Sequence, residues 1–264
     1  MARRSRRSKP GSDLISQLPE DLKHKILEHL DTRSAAKTAL VSRKWKDVWL
    51  RHGQLAFVSE NCPNGGRDED DFKFLVKTIT NVRLLRTGPV KRFSFSIYSE
   101  FDTPEQSDLD VWCLFLSRNG IEQLYLGILP HPDSEKLTIP SCIISCPTIK
   151  RLYVEAVDFC GPVCAPHGSI LSGVTSIIFT AVEFKATARG IVRVNIPNLE
   201  ELILCSCCRI ENFVFSAPKL KSLTIIYAHS RIELKWFELH LLGIRTLCLT
   251  IDSVLVRTLP FICE

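Results

Sequence analysis

A short apolar motif has its clearest copies in Cys146-Pro-Thr-Ile-Lys-Arg-Leu-Tyr-Val154, Ile196-Pro-Asn-Leu-Glu-Glu-Leu-Ile-Leu204 and Ala217-Pro-Lys-Leu-Lys-Ser-Leu-Thr-Ile225. After a proline, each copy places apolar residues in the pattern apolar-x-x-apolar-x-apolar. The last two apolar residues are two positions apart, so in a β-strand their side chains point to the same face. One such strand cannot bury that face alone, and we expect several copies to stack side by side.

The pattern occurs seven times from residue 90 onward, and its first apolar residues are separated by 31, 28, 25, 25, 21 and 24 residues. The copies are Val90/Phe93/Phe95, Ile121/Leu124/Leu126, Ile149/Leu152/Val154, Val174/Ile177/Phe179, Leu199/Leu202/Leu204, Leu220/Leu223/Ile225 and Ile244/Leu247/Leu249. Most of these separations match the period of the leucine-rich repeat. The sequence therefore predicts a solenoid with a parallel sheet of seven strands, the alternative being a generic β-rich domain with chance periodicity.

The predicted repeats are irregular. Cys207 stands eight residues after Leu199, where a leucine-rich repeat usually has Asn or Cys, but the other copies carry different residues at this point. The segment from Val254 to Cys263 is again repeat-like, and no polar terminal cap follows it. The sequence thus leaves open whether the last strand is exposed or the chain is a truncated member of its family.

The N-terminal part has a helical pattern instead. Leu18, Leu22, Ile26 and Leu30 recur every four residues and form one apolar stripe on a helix. Pro19 suits the first helical turn, where its missing N–H group is not needed. A second helix following on from residue 31 and a third from residue 42 complete a predicted three-helix unit.

Polar residues indicate the N-caps of the second and third helices. Asp31 or Thr32 is placed to cap the second helix, and Ser42 to cap the third, which carries Trp45 and Trp49. About forty residues in three short helices bury little surface by themselves. The apolar side chains either pack against the rest of the chain or form a partner surface.

The run from Asp13 to Trp49 resembles a plant-type F-box. The resemblance rests on the Leu18-Pro19 pair, on Ile26-Leu27 and on the closing Ser42-Arg-Lys-Trp45. It implies that the three helices dock on a Skp-type adaptor, which links them to a cullin scaffold. The adaptor contacts that it implies are Leu18, Pro19, Ile26, Leu27, Leu40, Val41 and Trp45. Some of these must form the small domain's own core instead.

An F-box followed by irregular leucine-rich repeats is similar to the plant F-box/LRR-repeat family. The chain is FBD-family-like but lacks an evident C-terminal FBD module. The predicted fold is mixed α and β, with a three-helix F-box followed by an irregular leucine-rich-repeat α/β solenoid. The predicted segments are a disordered basic arm (1–12), the F-box (13–52), a linker and helix (53–89) and about seven repeats (90–264).

In a solenoid of this kind the concave strand face binds partners. Among the residues predicted to project there, Tyr125, Arg151, Tyr153 and Ile178 form a mixed aromatic, charged and apolar set of the kind favoured at interface centres. These four are the candidate substrate-binding residues. The alternative is that tyrosine and isoleucine are there as ordinary strand formers.

The composition excludes several functional classes. No apolar run is long enough for a membrane span, and no secretion signal begins the chain. The eleven cysteines therefore suggest a reducing compartment, and they lack the paired spacing of a zinc site. The net charge of +5 equals the five cations of residues 1–12, so no nucleic acid partner is expected. That basic arm is a nuclear-import signal, a weak contact for an anionic partner or a disordered, solvated tail, and we expect a nuclear or cytoplasmic protein.

The resemblance points to a non-catalytic, substrate-recruiting subunit of an SCF-type (Skp/cullin/F-box) ubiquitin ligase, whose repeats bind a target for ubiquitination and proteasomal degradation. No catalytic motif, cofactor site or metal site is evident in the sequence. A repeat scaffold without ligase assembly and an enzyme with a cysteine nucleophile are the alternatives. A small-molecule co-receptor is less expected, because seven short repeats form an arc rather than a closed pocket.

Overall fold

The computed structural model describes residues 14–58, 69–98, 104–129, 136–160, 169–186, 192–227, 236 and 243–250. The helices in these ranges are α1 (Glu20–Glu28), α2 (Thr32–Thr38), α3 (Arg43–Arg51), α4 (Glu69–Leu85), α5 (Gln106–Arg118) and α6 (Ser141–Ile144). The strands are β1 (Gln54–Val58), β2 (Arg92–Tyr98), β3 (Gln123–Leu129), β4 (Arg151–Glu155), β5 (Phe159–Cys160), β6 (Ser176–Thr180), β7 (Phe184–Lys185), β8 (Val192–Asn195), β9 (Glu201–Cys205), β10 (Phe213–Ser216), β11 (Ser222–Ile226) and β12 (Thr246–Thr250). The basic arm and the repeat-like segment at 254–263 lie outside the described residues.

The largest sheet has eight parallel strands in the order β1-β2-β3-β4-β6-β9-β11-β12. Its register places equivalent motif positions side by side, so that Leu124 pairs with Phe93 on one side and with Leu152 on the other. All seven predicted motif strands are present in this sheet. The predicted fold class, a mixed α and β chain with a parallel sheet in a solenoid-like arrangement, is confirmed.

The core lies behind this sheet, between the buried motif side chains and short strands on the opposite side of the repeats. Those short strands form the pairs β5–β7 and β8–β10. Four phenylalanine side chains fill the space between the layers, with ring centroids 4.6 to 6.3 Å apart. They are Phe159, Phe179, Phe184 and Phe213. Burial of this apolar surface is the main stabilising contribution to the stack.

A left-handed residue follows directly after four of the large-sheet strands. These residues and their φ angles are Ala156 (57°), Ala181 (51°), Ser206 (52°) and Tyr227 (49°). Each donates its backbone N–H to the last carbonyl of the next strand, over 2.8 to 2.9 Å. The chain therefore leaves every one of these strands by the same hydrogen-bonded corner.

Cys207 occupies the position where the repeat pattern usually has Asn or Cys. Its buried thiol donates a hydrogen bond to the carbonyl oxygen of Phe179, with an S···O distance of 3.3 Å. The thiol thus satisfies a backbone acceptor of the preceding repeat. The equivalent residues Val157 and Val182 are also fully buried but contribute only apolar packing.

The strand β1 lies within residues 53–89, for which the sequence predicted a linker and a helix but no strand. β1 pairs with β2 in the register Leu55 to Phe93, so His52 takes the place that Val90 holds in the next copy of the motif. Because a polar histidine occupies the first apolar position, the apolar repeat motif cannot be recognised in the sequence of β1. The side chain is nevertheless 3% exposed, like the apolar residues at the equivalent points. The helix predicted from residue 72 begins instead at Glu69 and ends at Leu85.

The helices α2 and α3 have the predicted caps. Asp31 accepts a hydrogen bond from the backbone N–H of Ser34 at 2.9 Å, and Ser42 accepts one from the N–H of Trp45 at 3.4 Å. Pro19 is the N-cap of α1, one residue before the first helical turn. Buried residues of these helices belong to the same continuous hydrophobic core as the sheet. The helical unit is therefore packed onto the first strand and does not stand apart from it.

Candidate partner surfaces on the N-terminal helices and the concave sheet

The N-terminal helical unit exposes large apolar side chains, with exposed fractions from 39% to 88%. These residues are Leu14, Ile15, Leu22, Ile26, Leu40 and Val41. Single exposed apolar residues are normal on a protein surface, whereas a group of this size on one small unit indicates an interaction site.

A hydrogen bond brings two parts of this surface together. The hydroxyl of Ser16 donates to that of Ser42 over 2.8 Å, which joins the chain before α1 to the start of α3. Ile15 directly precedes Ser16 and Val41 directly precedes Ser42, so this hydrogen bond joins the two segments that carry these exposed apolar residues. We call the surface formed by Leu14, Ile15, Leu40 and Val41 the N-terminal apolar patch.

Lys23 holds the segment before α1 in place. Its buried ammonium group donates to the carbonyl oxygen of Ser16 at 2.8 Å and lies 5.9 Å from the ring centroid of Trp45. A cation over an indole ring is stabilised by the ring quadrupole. The N-terminal apolar patch is therefore presented by an anchored segment.

The predicted adaptor contacts fall into two groups. Leu27 and Trp45 are buried in the core of the helical unit. Leu18 is half-buried, and the remaining four are exposed, namely Pro19, Ile26, Leu40 and Val41. Leu14, Ile15 and Leu22 are exposed but were not among the predicted contacts, because the four-residue spacing does not distinguish exposed from buried leucines.

On the concave face, the structure brings all four predicted substrate-binding residues together. Tyr125, Arg151, Tyr153 and Ile178 line one depression of about 320 Å³. Gln54, Ala56, Arg92, Ser94, Gln123 and Ser176 are among the other lining residues. The depression thus reaches from the strand next to the helical unit to the fifth strand of the sheet.

Two stacked tyrosines form the centre of this depression. The rings of Tyr125 and Tyr153 lie 4.3 Å apart with an angle of 16° between their planes. The hydroxyl of Tyr125 donates to Glu155 Oε2 at 3.1 Å. Burial, followed by the nearby Glu155 carboxylate, raises the pKa of Tyr125 to about 12, so the phenol stays protonated and keeps donating.

Two arginines lie along the rim of the depression and differ in their partners. The guanidinium of Arg92 contacts Glu28 of α1 at 2.9 Å. Arg151 is exposed, and no acidic side chain in the described part of the chain forms an ion pair with it. Within the described ranges, the rim therefore carries one guanidinium that forms an ion pair and one that does not.

Four cysteines of the described residues have thiols whose environment disfavours ionisation. Burial raises the pKa of Cys113, Cys142 and Cys160, and raises that of Cys207 to about 12. A raised pKa favours the protonated thiol, which is a poor nucleophile.

No group of three His, Cys, Asp or Glu residues in the described ranges is arranged to hold a metal ion. None of the described helices combines the length and apolar character that crossing a bilayer requires.

A family model for the F-box domain matches residues 15–57. Proteins of Arabidopsis thaliana are similar over most of the chain. An F-box/FBD/LRR-repeat protein is 28% identical over 241 residues, covering 83% of this chain and 55% of the relative. An F-box/LRR-repeat protein is 28% identical over 224 residues, covering 82% and 44%, and an FBD-associated F-box protein is 26% identical over 225 residues, covering 81% and 48%. No solved structure gives a significant match.

The chain therefore carries an F-box domain at its N-terminus, and its relatives are F-box/LRR-repeat and FBD-associated F-box proteins. This confirms the family resemblance seen in the sequence. The chain spans about half the length of the curated relatives it matches. An F-box domain in general implies binding to a Skp-type adaptor.

Proposed function

We propose that the protein is the substrate-recruiting subunit of an SCF-type ubiquitin ligase, acting in the nucleus or cytoplasm. Its F-box docks on a Skp-type adaptor and, through it, on a cullin scaffold. The concave face of the repeats binds the target for ubiquitination. In this proposal the chain positions the target and contributes no catalytic group of its own.

The N-terminal apolar patch is the observation that carries this proposal. Leu40 is 88% exposed and Val41 is 58% exposed, whereas Leu27 and Trp45 of the same unit are buried. Covering each of these side chains with a partner gains about 1.5–3 kcal/mol of hydrophobic free energy. The patch lies within the residues matched by the F-box family, apart from Leu14 directly before them.

The proposed adaptor-binding and target-binding surfaces lie on different parts of the chain. The exposed apolar residues belong to the helices and their flanking segments, whereas the depression lies on the sheet. The Arg92–Glu28 ion pair and the pairing of β1 with β2 fasten the helices to the sheet. A target on the concave face would therefore be held in a defined position relative to the adaptor.

The test is adaptor binding by the full chain, measured by isothermal titration calorimetry against a purified plant Skp-type adaptor. We expect a one-to-one complex, and we expect the double variant Leu40→Asp/Val41→Asp to bind at least about 100-fold more weakly, since two buried apolar contacts of this size are worth about 3 kcal/mol or more. Val111→Asp is the matched control, because Val111 is 44% exposed on α5, outside the F-box.

Circular dichroism of both variants verifies that the fold is retained. Undiminished adaptor binding by the Leu40/Val41 variant would remove the N-terminal apolar patch from the interface. A wild-type chain that binds no Skp-type adaptor would contradict the ligase assignment and leave a repeat scaffold as the function.

A further inference from the structure

One row of side chains on the concave face changes abruptly in size. The strand register places Ala56, Ser94, Tyr125, Tyr153 and Ile178 side by side across β1, β2, β3, β4 and β6. Two small residues are therefore followed by two large aromatic ones. The depression of about 320 Å³ includes this step.

The stacking geometry shows which way the aromatic pair faces. The ring centroids of Tyr125 and Tyr153 are 4.3 Å apart, close to the spacing of about 4.8 Å between adjacent strands. The stacking axis therefore runs across the strands, along the row. One face of the Tyr125 ring is covered by Tyr153, and its other face turns toward Ser94 and Ala56.

We call the space over Ala56 and Ser94, beside the free face of Tyr125, the aromatic slot. It is two strand spacings wide, or about 10 Å, which is enough for one more ring in the stack. The volume of the whole depression is at the low end of the range of about 300–1,000 Å³ typical of ligand pockets. That size suits an inserted side chain better than an extended small molecule.

The wall of the aromatic slot is held rigidly. The Tyr125 hydroxyl is fixed by Glu155, and Thr180 donates to the Tyr153 hydroxyl at 3.5 Å. Gly127 lets the Tyr125 ring lie close to the backbone, since a Cβ at this position would be 3.0 Å from Tyr125 Cε1. A wall that is already ordered loses little conformational entropy when a partner binds.

The charge at the rim of the depression indicates what kind of partner segment would carry the inserted aromatic ring. Arg92 is neutralised by Glu28, whereas Arg151, beside Tyr153 on the same face of β4, has no ion-pair partner among the described residues. Its neighbours in the register, Gln123 and Ser176, are uncharged. An acidic group on the partner is the complement of this site.

We propose that the aromatic slot binds an aromatic side chain from an acidic segment of the target protein. The ring extends the Tyr153–Tyr125 stack over Ser94, and a neighbouring carboxylate pairs with Arg151. This inference rests on the proposed function, because it assumes that the concave face receives the target.

The experiment pans a phage-displayed library of random dodecapeptides on the full chain bound to its Skp-type adaptor. We expect selected peptides to share an aromatic residue within a few positions of Asp or Glu. Calorimetry on a selected synthetic peptide should give a Kd that rises at least tenfold in Ser94→Trp, which fills the slot, and in Arg151→Glu. Matched controls are Thr224→Trp, in the same row on β11, and Arg118→Glu, at the end of α5, and both should keep the wild-type Kd.

The peptide selection and the calorimetry have outcomes that would contradict the proposed aromatic slot. Recovery of no binding peptides, of peptides without an aromatic residue, or of a peptide whose Kd is unchanged by Ser94→Trp would overturn the proposal. A selected peptide that responds to Ser94→Trp but not to Arg151→Glu would remove the acidic requirement and thereby refute the proposal as stated. Adaptor binding measured on the same variants reports separately on the proposed function, which stands if only the peptide result fails.

Discussion

At the scale of single residues, His52 shows how a polar side chain is fitted into an apolar pattern. It lies at the first position of the β1 motif, where the other copies have Val, Ile or Leu. Its ring stacks with His24 at a centroid distance of 6.0 Å and with Trp49 at 6.4 Å. Burial, followed by the positive charge of Arg86, lowers the pKa of His52 from 6.5 to about 4.

This lowered pKa predicts a loss of stability in mild acid. Between pH 6.5 and about 4 the unfolded chain binds a proton at His52 that the folded chain does not, so the stability present above pH 6.5 falls as the pH approaches 4. The loss is of the order of 3 kcal/mol over this window, at about 1.36 kcal/mol per pKa unit. Urea unfolding at several pH values between 7.5 and 4 measures it.

The variant His52→Leu, which restores the apolar motif, should show a much weaker pH dependence across this window. His29→Gln is the matched control, because His29 is an exposed histidine of the same helical unit. An unchanged profile in His52→Leu would show that other groups cause the acid sensitivity.

At the scale of secondary-structure elements, the repeated corner defines how each strand ends. The residue after β6, Ala181, has a φ of 51° and donates its N–H to Cys205 over 2.8 Å. The left-handed conformation costs an L-residue with a Cβ about 1–2 kcal/mol. The hydrogen bond and the packing of the next repeat hold the corner in this conformation.

Substitutions at this corner should change stability in opposite directions. Ala181→Gly relieves the left-handed strain, and after the flexibility cost of glycine of about 0.5–1 kcal/mol it should raise the free energy of unfolding by up to about 1 kcal/mol. Ala181→Val places a β-branched residue at positive φ and should lower it by about 1–2 kcal/mol. Urea denaturation measures both changes.

The control for the glycine substitution is Ala36→Gly within α2, which should lower stability by about 1 kcal/mol because the helical conformation does not favour glycine. Equal losses in Ala36→Gly and Ala181→Gly would mean that the left-handed corner is not strained in the wild type.

At the scale of the whole molecule, the F-box covers one end of the solenoid. β1 is an edge strand of the eight-stranded sheet, and the hydroxyl of Thr32 in α2 accepts the N–H of Ala56 at 2.6 Å. An uncovered edge strand offers unpaired backbone groups to other chains. The N-terminal helices thus bind the edge strand β1 and also present the N-terminal apolar patch. One continuous hydrophobic core joins these helices to the sheet.

We expect Thr32→Val to weaken this junction. Valine keeps the shape of threonine but cannot accept the Ala56 N–H, and the loss of this partly buried hydrogen bond costs about 1 kcal/mol. Hydrogen exchange measured by mass spectrometry should be faster in β1, and the free energy of unfolding should fall by a similar amount. Thr38→Val is the control, because the Thr38 hydroxyl donates only to Ala35 of its own helix. Equal exchange in β1 for the two variants would show that Thr32 does not hold the edge.

The sequence by itself determined the seven motif strands, the caps of α2 and α3 and the F-box landmarks, because each depends on residues that are close together in the chain. Strand alternation also placed Tyr125, Arg151, Tyr153 and Ile178 on the side of the sheet away from the core, and all four line the depression.

Only the tertiary structure decided that β1 joins the sheet, that Leu27 and Trp45 are buried while Leu40 and Val41 are exposed, and that a slot opens beside Tyr125. These features depend on which elements pack against each other. A four-residue spacing places leucines on a helix, but the neighbouring elements determine which of them are covered.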